Sequence, residues 1–275
     1  MEKLSISSNL KNKDRILKSK WELDINSEKS SLKSKWELND YEDVFISGSE
    51  WKHYLTEGYV VLNKTVDEKT INEINNELYE IMMYGKNSES LIMQLDSKTG
   101  NYNGAGKQSI GWKGPTLEYR KIENLENNNK FKNFFKSRLF NEVRTKAGIT
   151  SPFETMRSMM MNKSPHGGTA LPAHQDRWNE PNYKPTLSIY IAIDPAPIDS
   201  GCMVMYPKSH NNGLINKECH RGILNEKQLK YIRSEYSSKS IPLKKGNIVI
   251  FNSLCVHESN LNNTSNSRKS ISCLM

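Results

Sequence analysis

The sequence predicts a mainly β domain, a sandwich or jelly roll, with flanking helices supplied by its N-terminal half. Three observations carry this reading. From Phe153 onward the chain breaks into short apolar segments separated by turn residues. Its longest apolar runs, such as Leu187 to Ile193 and Ile248 to Phe251, are strand-sized and far from the roughly 18 residues of a membrane helix. Helix-period patterns occur upstream, at 66–82 and 129–146. With 275 residues the chain holds one generous domain plus an appendage, here taken as 41–275 and 1–40.

The appendage carries a duplication: Leu17-Lys18-Ser19-Lys20-Trp21-Glu22-Leu23 recurs as Leu32-Lys33-Ser34-Lys35-Trp36-Glu37-Leu38. Two copies cannot bury a solenoid core, and the Ser, Lys, Asn and Asp around them predict a mobile or loosely docked extension. In the domain, Ser49 is the expected N-cap of a helix through Glu57 that stops at Gly58, before a strand Tyr59–Leu62. Thr65-Val66-Asp67-Glu68 has capping-box form, and Val66, Ile71, Ile74, Leu78, Ile81 and Met82 mark the buried stripe of a helix ending near Gly85. Residues 86–120 read as loops and short strands. One helix is expected over Asn129–Lys146, presenting Phe131, Phe134, Phe135, Leu139 and Val143. Strands follow at Met156–Asn162, Thr186–Ile193, Cys202–Tyr206, Ile248–Phe251 and Lys269–Leu274. Residues 208–240, with a helix at Glu226–Glu235, form an insertion long enough to overlie a functional mouth.

A net charge of +8 raises the question of nucleic acid. The excess sits mainly in residues 107–146, which hold ten Lys or Arg against four Glu. No helix-turn-helix, zinc-finger or RNA-binding signature accompanies it, so no nucleic-acid partner is expected. A solvated face or attraction of an anionic small-molecule substrate accounts for it. Four cysteines without CxxC spacing read as buried hydrophobes in a reducing compartment. No apolar leader precedes them, so the expected location is cytoplasmic.

The chemistry centres on His174-Gln175-Asp176 and His257. On an extended segment residues two apart share a face, so His174 and Asp176 reach one point. Two imidazoles and a carboxylate on one face of an octahedral metal form the triad of non-haem Fe(II) oxygenases. A lone HxD is weak, since a surface His beside an Asp is common. Arg268, eleven residues beyond His257, strengthens it. If His257 ends one strand and Arg268 begins the next, the guanidinium returns into the barrel, where it suits the distal carboxylate of an iron-chelating 2-oxoglutarate. Ser270, on the same strand face, can donate to that carboxylate. A zinc hydrolase with these ligands has no need of Arg268, and a catalytically silent metal-binding jelly roll remains the contrasting reading. Lys163, Gln175, Arg177 and Trp178 flank these motifs as candidate substrate residues. His210 reads as structural, and His53, His166 and His220 as solvent-facing.

The segments Phe45-Ile46-Ser47-Gly48-Ser49-Glu50-Trp51 through Gly58-Tyr59-Val60-Val61-Leu62, Leu171 to Asp176, Ser200 to His210, Gly246 to Phe251 through His257, and Arg268 to Cys273 together resemble the phytanoyl-CoA dioxygenase family over about residues 45–275. The resemblance implies a double-stranded β-helix (jelly roll, cupin-like), Fe(II), 2-oxoglutarate and O₂, with ascorbate as a stimulant. It carries the metal ligands to His174, Asp176 and His257 and the co-substrate anchor to Arg268. Asn247 stands where the family favours Asp, and Glu258 where Gly is common, which narrows the pocket. No C-terminal lid is expected beyond the short last strand. Retention of Asp176, where related halogenases carry a small residue, points to hydroxylation of an unactivated C–H bond in a small-molecule or acyl-thioester substrate.

Overall fold

The computed structural model describes residues 44–150, 157–177, 184–219 and 221–275. The duplicated segment, His220 and Trp178 lie outside them. The first helix, α1 (Gly48–Glu57), starts two residues earlier than expected. Its N-cap is Ser47, because Ser47 and Glu50 form a reciprocal capping box in which the Glu50 carboxylate accepts from the Ser47 amide at 2.7 Å. It stops at Gly58, whose φ of 82° and 2.4 Å approach of a hypothetical Cβ to His210 Nδ1 both demand glycine. The strand β1 (Tyr59–Thr65) follows, so Thr65 belongs to a strand and Asp67 caps α2 (Glu68–Tyr84) instead, accepting from the Thr70 amide at 2.9 Å. The predicted apolar stripe of α2 is buried from Ile71 to Met82.

Short strands β2 (Ile92–Leu95), β3 (Ser109–Ile110) and β4 (Tyr119–Glu123) come next. The helix expected over 129–146 is two helices, α3 (Asn129–Phe135) and α4 (Arg138–Lys146), separated by Ser137 in extended conformation. In one helix Phe135 and Phe140 would point about 140° apart. The break lets their rings meet edge-on at 5.2 Å, with Phe134 also against Phe140.

The rest is β5 (Arg157–Lys163), β6 (Leu171–His174), β7 (Leu187–Ala192), β8 (Met203–Met205), α5 (Glu226–Glu235), β9 (Lys239–Ile241), β10 (Asn247–Asn252), β11 (His257–Ser259) and β12 (Arg268–Leu274). These strands build two antiparallel sheets, one ordered β1-β10-β7-β12-β5-β4-β2-β3 and the other β6-β11-β8-β9. Successive strands from β10 to β12 alternate between the sheets, the connectivity of a jelly roll.

Burial explains why the central strands lack polar–apolar alternation. Ile189, Ile191, Ile248, Ile250, Ile271 and Cys273 face outward onto α2, α3 and α4 in the main core. Tyr190, Ala192, Val249 and Phe251 face inward toward Met203 and Met205 of the smaller sheet. Strands buried on both faces read as continuous apolar runs. Residues 208–240 pack through Leu224 and Ile232 onto Ala173, Tyr206 and Val256, behind the smaller sheet. Cys202, Cys255 and Cys273 are buried and all four thiols are free. Among the described residues, no helix is long and apolar enough to cross a membrane.

Candidate active site

The inner face of the two sheets encloses a cavity of about 680 Å³. At its floor β11 pairs with β6 so that His257 stands directly opposite His174. The imidazole centroids are 4.1 Å apart. Asp176, two residues past His174, completes the cluster, with Oδ1 3.5 Å from His174 Nε2 and 3.6 Å from His257 Nε2. One ligand atom from each residue lies within 4.8 Å of the others.

Local backbone fixes each donor. His174 Nδ1 bonds the Pro172 carbonyl at 2.8 Å and His257 Nδ1 the Cys255 carbonyl at 3.0 Å. Each Nδ1 therefore carries the proton, and both Nε2 lone pairs face the cavity. Asp176 Oδ2 accepts from the Ser188 hydroxyl at 2.5 Å, which turns Oδ1 toward the imidazoles. Burial, helped by His174, pushes His257 down to about 4. Burial alone would raise the Asp176 carboxyl, but His257, His174 and Ser188 hold it below the usual carboxylate range. Two ring nitrogens and a carboxylate oxygen converging on one point are a donor set that a divalent cation can take.

Arg268 does not return on a strand paired with β11. His257 begins β11, and the chain then crosses to the larger sheet, where Arg268 opens β12 opposite Lys163. Asn262 turns it, its amide donating to the carbonyls of Lys163, Ser164 and Asn266. The guanidinium still reaches the cavity, from the facing wall. It is 5% exposed, donates to Tyr190 Oη at 2.6 Å and the Gly201 carbonyl at 2.8 Å, and leaves a buried Nε without a partner. No carboxylate of the described residues pairs with it. A buried guanidinium with a spare donor is chemically able to hold an anion.

The flanking candidates separate. Ser270 shares the inward face of β12 but is fully buried, and its hydroxyl donates to the Met161 carbonyl at 3.3 Å. Lys163 lines the cavity with its ammonium on the Thr169 carbonyl; burial, with Arg268 beside it, pushes it well below the ordinary lysine range. Gln175 points away from the cavity, as its place between two inward residues dictates. Its Nε2 donates to the carbonyls of Gly213 and Leu254 and its Oε1 accepts from the Ile215 amide, so that Gly213 and Ile215 tie the 208–240 insertion to the segment after β6. Arg177 is half-buried and does not line the cavity. His210 packs on Gly58, while His53 and His166 are exposed. Glu258 lines the cavity, held by Tyr206 Oη at 2.6 Å and Arg233 of α5 at 3.3 Å.

Sequence reasoning missed Ser188 and Tyr190. The available signal was two polar groups at i and i+2 in an otherwise apolar strand, and they are the partners of Asp176 and Arg268. Of the basic segment 107–146, Lys107, Arg120 and Lys121 reach the cavity, whereas Lys130, Lys132, Arg144 and Lys146 lie on α3 and α4. Arg221 and Ile223 of the insertion reach its wall, and Ile223 bridges His174.

The family profile for phytanoyl-CoA dioxygenase (PhyH) matches residues 54–270. Phytanoyl-CoA dioxygenase domain-containing protein 1 of Mus musculus is 26% identical over 130 residues, and the match spans 44% of this chain and 44% of that protein, less than half its length. EctD from S. alaskensis, solved with 2-oxoglutarate and 5-hydroxyectoine, superposes with a TM-score of 0.63 at 14% identity, covering 86% of this chain and 78% of that one. The epimerase SnoN, solved with Fe3+, alpha-ketoglutarate and nogalamycin RO, gives 0.59 at 15% identity over 82% and 81%. These likenesses share the jelly-roll fold, and the profile spans both histidines, the aspartate and the arginine of the cavity. The chain belongs to the phytanoyl-CoA dioxygenase family.

Proposed function

We propose that this chain is an Fe(II)- and 2-oxoglutarate-dependent dioxygenase that hydroxylates an unactivated C–H bond of a small-molecule or acyl-thioester substrate, acting in the cytoplasm. The observation that carries the proposal is the conjunction of two things in one cavity. A three-residue cluster whose ligand atoms lie close enough to share a cation faces a buried guanidinium that has no carboxylate ion-paired to it among the described residues. A zinc hydrolase or a silent metal-stabilised module accounts for the first and leaves the second unexplained.

His174, Asp176 and His257 would hold the iron, and Arg268 the distal carboxylate of the co-substrate. When bound, iron with 2-oxoglutarate and O₂ supplies the oxidising power for hydroxylation, with release of succinate and CO₂. The residues' own task is placement. Backbone carbonyls fix both imidazole tautomers, Ser188 fixes the carboxylate, and Tyr190 with Gly201 fixes two of the arginine's donors, so a ligand meets a preorganised site. Phe251, Met159, Met161 and Met203 supply the apolar part of the walls.

The test is succinate formation from 2-oxoglutarate with Fe(II), ascorbate and O₂, alongside metal-dependent binding of 2-oxoglutarate. No turnover across a broad substrate panel, together with no metal-dependent binding, would refute the assignment. An Asp176→Ala variant that keeps its melting transition and loses turnover separates an enzyme from a structural metal site.

A further inference from the structure

Apart from Arg268, the cavity wall carries Lys107, Arg120, Lys121, Arg157, Lys163 and Arg221, against the carboxylates of Asp176 and Glu258. Several of these charges are already matched. Lys121 and Arg157 share Glu123, which stands behind the wall. Glu258 is occupied by Arg233 and Tyr206, and Lys163, which likewise has no carboxylate ion-paired to it among the described residues, is turned onto the Thr169 carbonyl. Arg120, Arg221 and Lys107 are left with no carboxylate ion-paired to them among the described residues.

Arg120 is the built member of the three. Leu95 of β2 stands opposite Tyr119, and Gln94 opposite Lys121, so Arg120 is one extra residue in β4. Such a bulge turns two consecutive side chains to one face, and Arg120 and Lys121 accordingly both line the cavity. The bulge is braced by Asn162, whose amide donates to the carbonyls of Leu117 and Tyr119 at 3.1 and 3.0 Å. Arg120 is 5% exposed, lies 4.9 Å over the Tyr102 ring, and spends one donor on Gln94 Oε1 at 2.8 Å. Gln94 is itself fixed by the Gly106 carbonyl at 2.8 Å. Burial, with Arg221 adding to it, lowers Arg120 from its ordinary value, against the opposing influence of Tyr102 and Asp96. Asp96 is held by the amides of Ser97, Ser164 and Thr169 and by the Thr169 hydroxyl.

We infer that Arg120, with Arg221 and Lys107 at the rim, forms a second anion subsite that binds a carboxylate or phosphate group of the substrate to be oxidised. This rests on the dioxygenase reading, in which Arg268 is taken by the co-substrate. The two guanidinium groups serve different ligands. Arg268 stands opposite Lys163 and Lys121 opposite Met161, so the arginines sit at nearly the same level, two strands apart. Two strand spacings are about 10 Å, which no single carboxylate spans. An anion between Arg120 and Arg221 also removes their mutual repulsion.

The test uses the full chain loaded with Mn(II) and saturated with 2-oxoglutarate without O₂, titrated calorimetrically with inorganic phosphate and, separately, propionate. Saturable binding of one or both is expected, with the tighter probe identifying a phosphorylated or a carboxylate substrate. Arg120→Gln should weaken it about 10- to 100-fold, the worth of a charged hydrogen-bonded contact. Arg120→Lys should restore part of it, and affinity for 2-oxoglutarate should stay within about threefold. Arg221→Gln, at an exposed position, carries the same test should Arg120→Gln fail to fold, with a loss of about threefold to tenfold. Intact 2-oxoglutarate binding with no second anion bound, or with anion binding indifferent to Arg120 and Arg221, overturns the subsite alone. A large loss of 2-oxoglutarate affinity in Arg120→Gln would make Arg120 part of the co-substrate site and overturn it too. Absence of metal-dependent 2-oxoglutarate binding in the unaltered chain refutes the dioxygenase reading itself.

Discussion

Replacing Ser188 by Ala removes one hydroxyl, and the structure says what that hydroxyl does. It is fully buried on β7, between β10 and β12, and its Oγ lies 2.5 Å from Asp176 Oδ2. Two consequences oppose each other. Loss of the donor leaves Oδ2 more basic, which by itself strengthens a metal–carboxylate bond. Loss of the same contact frees the carboxylate to rotate, because Asp176 lies beyond the end of β6. The imidazoles, by contrast, stay locked by their own strands. A hydrogen bond to a charged group contributes about 1.5–3 kcal/mol, and outer contacts to metal ligands typically contribute about 10- to 100-fold in affinity. Orientation should therefore win, with Mn(II) or anaerobic Fe(II) bound about 10- to 100-fold more weakly by Ser188→Ala in calorimetric titration. The melting temperature of the metal-free variant should fall by only a few degrees. Metal affinity unchanged within twofold, or raised, would refute the argument that Ser188 positions the carboxylate.

Three further outcomes follow from the same contacts. Arg268→Met should reduce 2-oxoglutarate affinity by about 100-fold or more while metal binding persists, and should leave the ligand-free protein as stable or more so, because it removes a buried charge without a carboxylate partner; calorimetry and thermal melting measure the two arms. Gly201→Ala places a Cβ 2.3 Å from the Asn260 carbonyl at a φ of 70°; it should cost at least about 2 kcal/mol in urea unfolding and also weaken 2-oxoglutarate, since the displaced carbonyl holds Arg268. For Glu123, burial alone would raise the carboxyl, but Lys121 and Arg157 hold it down to about 2 from a reference of 4.5. A depressed folded value means that the stabilisation is present above the reference and is lost as pH falls toward 2, about 3 kcal/mol in all. Glu123→Gln should be less stable at pH 7 and show a shallower loss between pH 4.5 and 2 by denaturant titration.

What could be read in advance was whatever depends on residue period. His174 and Asp176 two apart on an extended segment had to share a face, and the stripe from Ile71 to Met82 had to be helical. The insertion's helix stands at the expected Glu226–Glu235, and the structure adds a capping box between Asn225 and Gln228 at its start. The same period rule places Gln175 on the opposite face from His174 and Asp176. What stayed hidden depends on pairing between distant segments. That His257 faces His174 is a matter of register, and that β12 lies in the other sheet is a matter of topology. The bulge at Arg120 exists only relative to β2, so no inspection of β4 alone reveals it. The break at Ser137 follows from ring contacts between side chains that a continuous helix would keep apart.

The larger sheet separates stability from chemistry within single strands. On β7 the residues Ile189 and Ile191 enter the main core beneath the helices, while Ser188 and Tyr190, alternating with them, serve Asp176 and Arg268. On β12 Ile271 and Cys273 pack outward while Arg268 and Ser272 line the cavity. Because the side-chain period is two, an inward substitution leaves the outward isoleucines in place. Inward changes should therefore alter ligand affinity with modest loss of fold. Outward truncations such as Ile191→Ala should cost about 2–5 kcal/mol and reduce affinity only as the folded fraction falls. A one-residue slip of β12 against β7 would exchange the two faces and bury Arg268 among the isoleucines. The unbroken ladder from Ser270↔Ala192 to Leu274↔Ser188 holds the register, and with it the site.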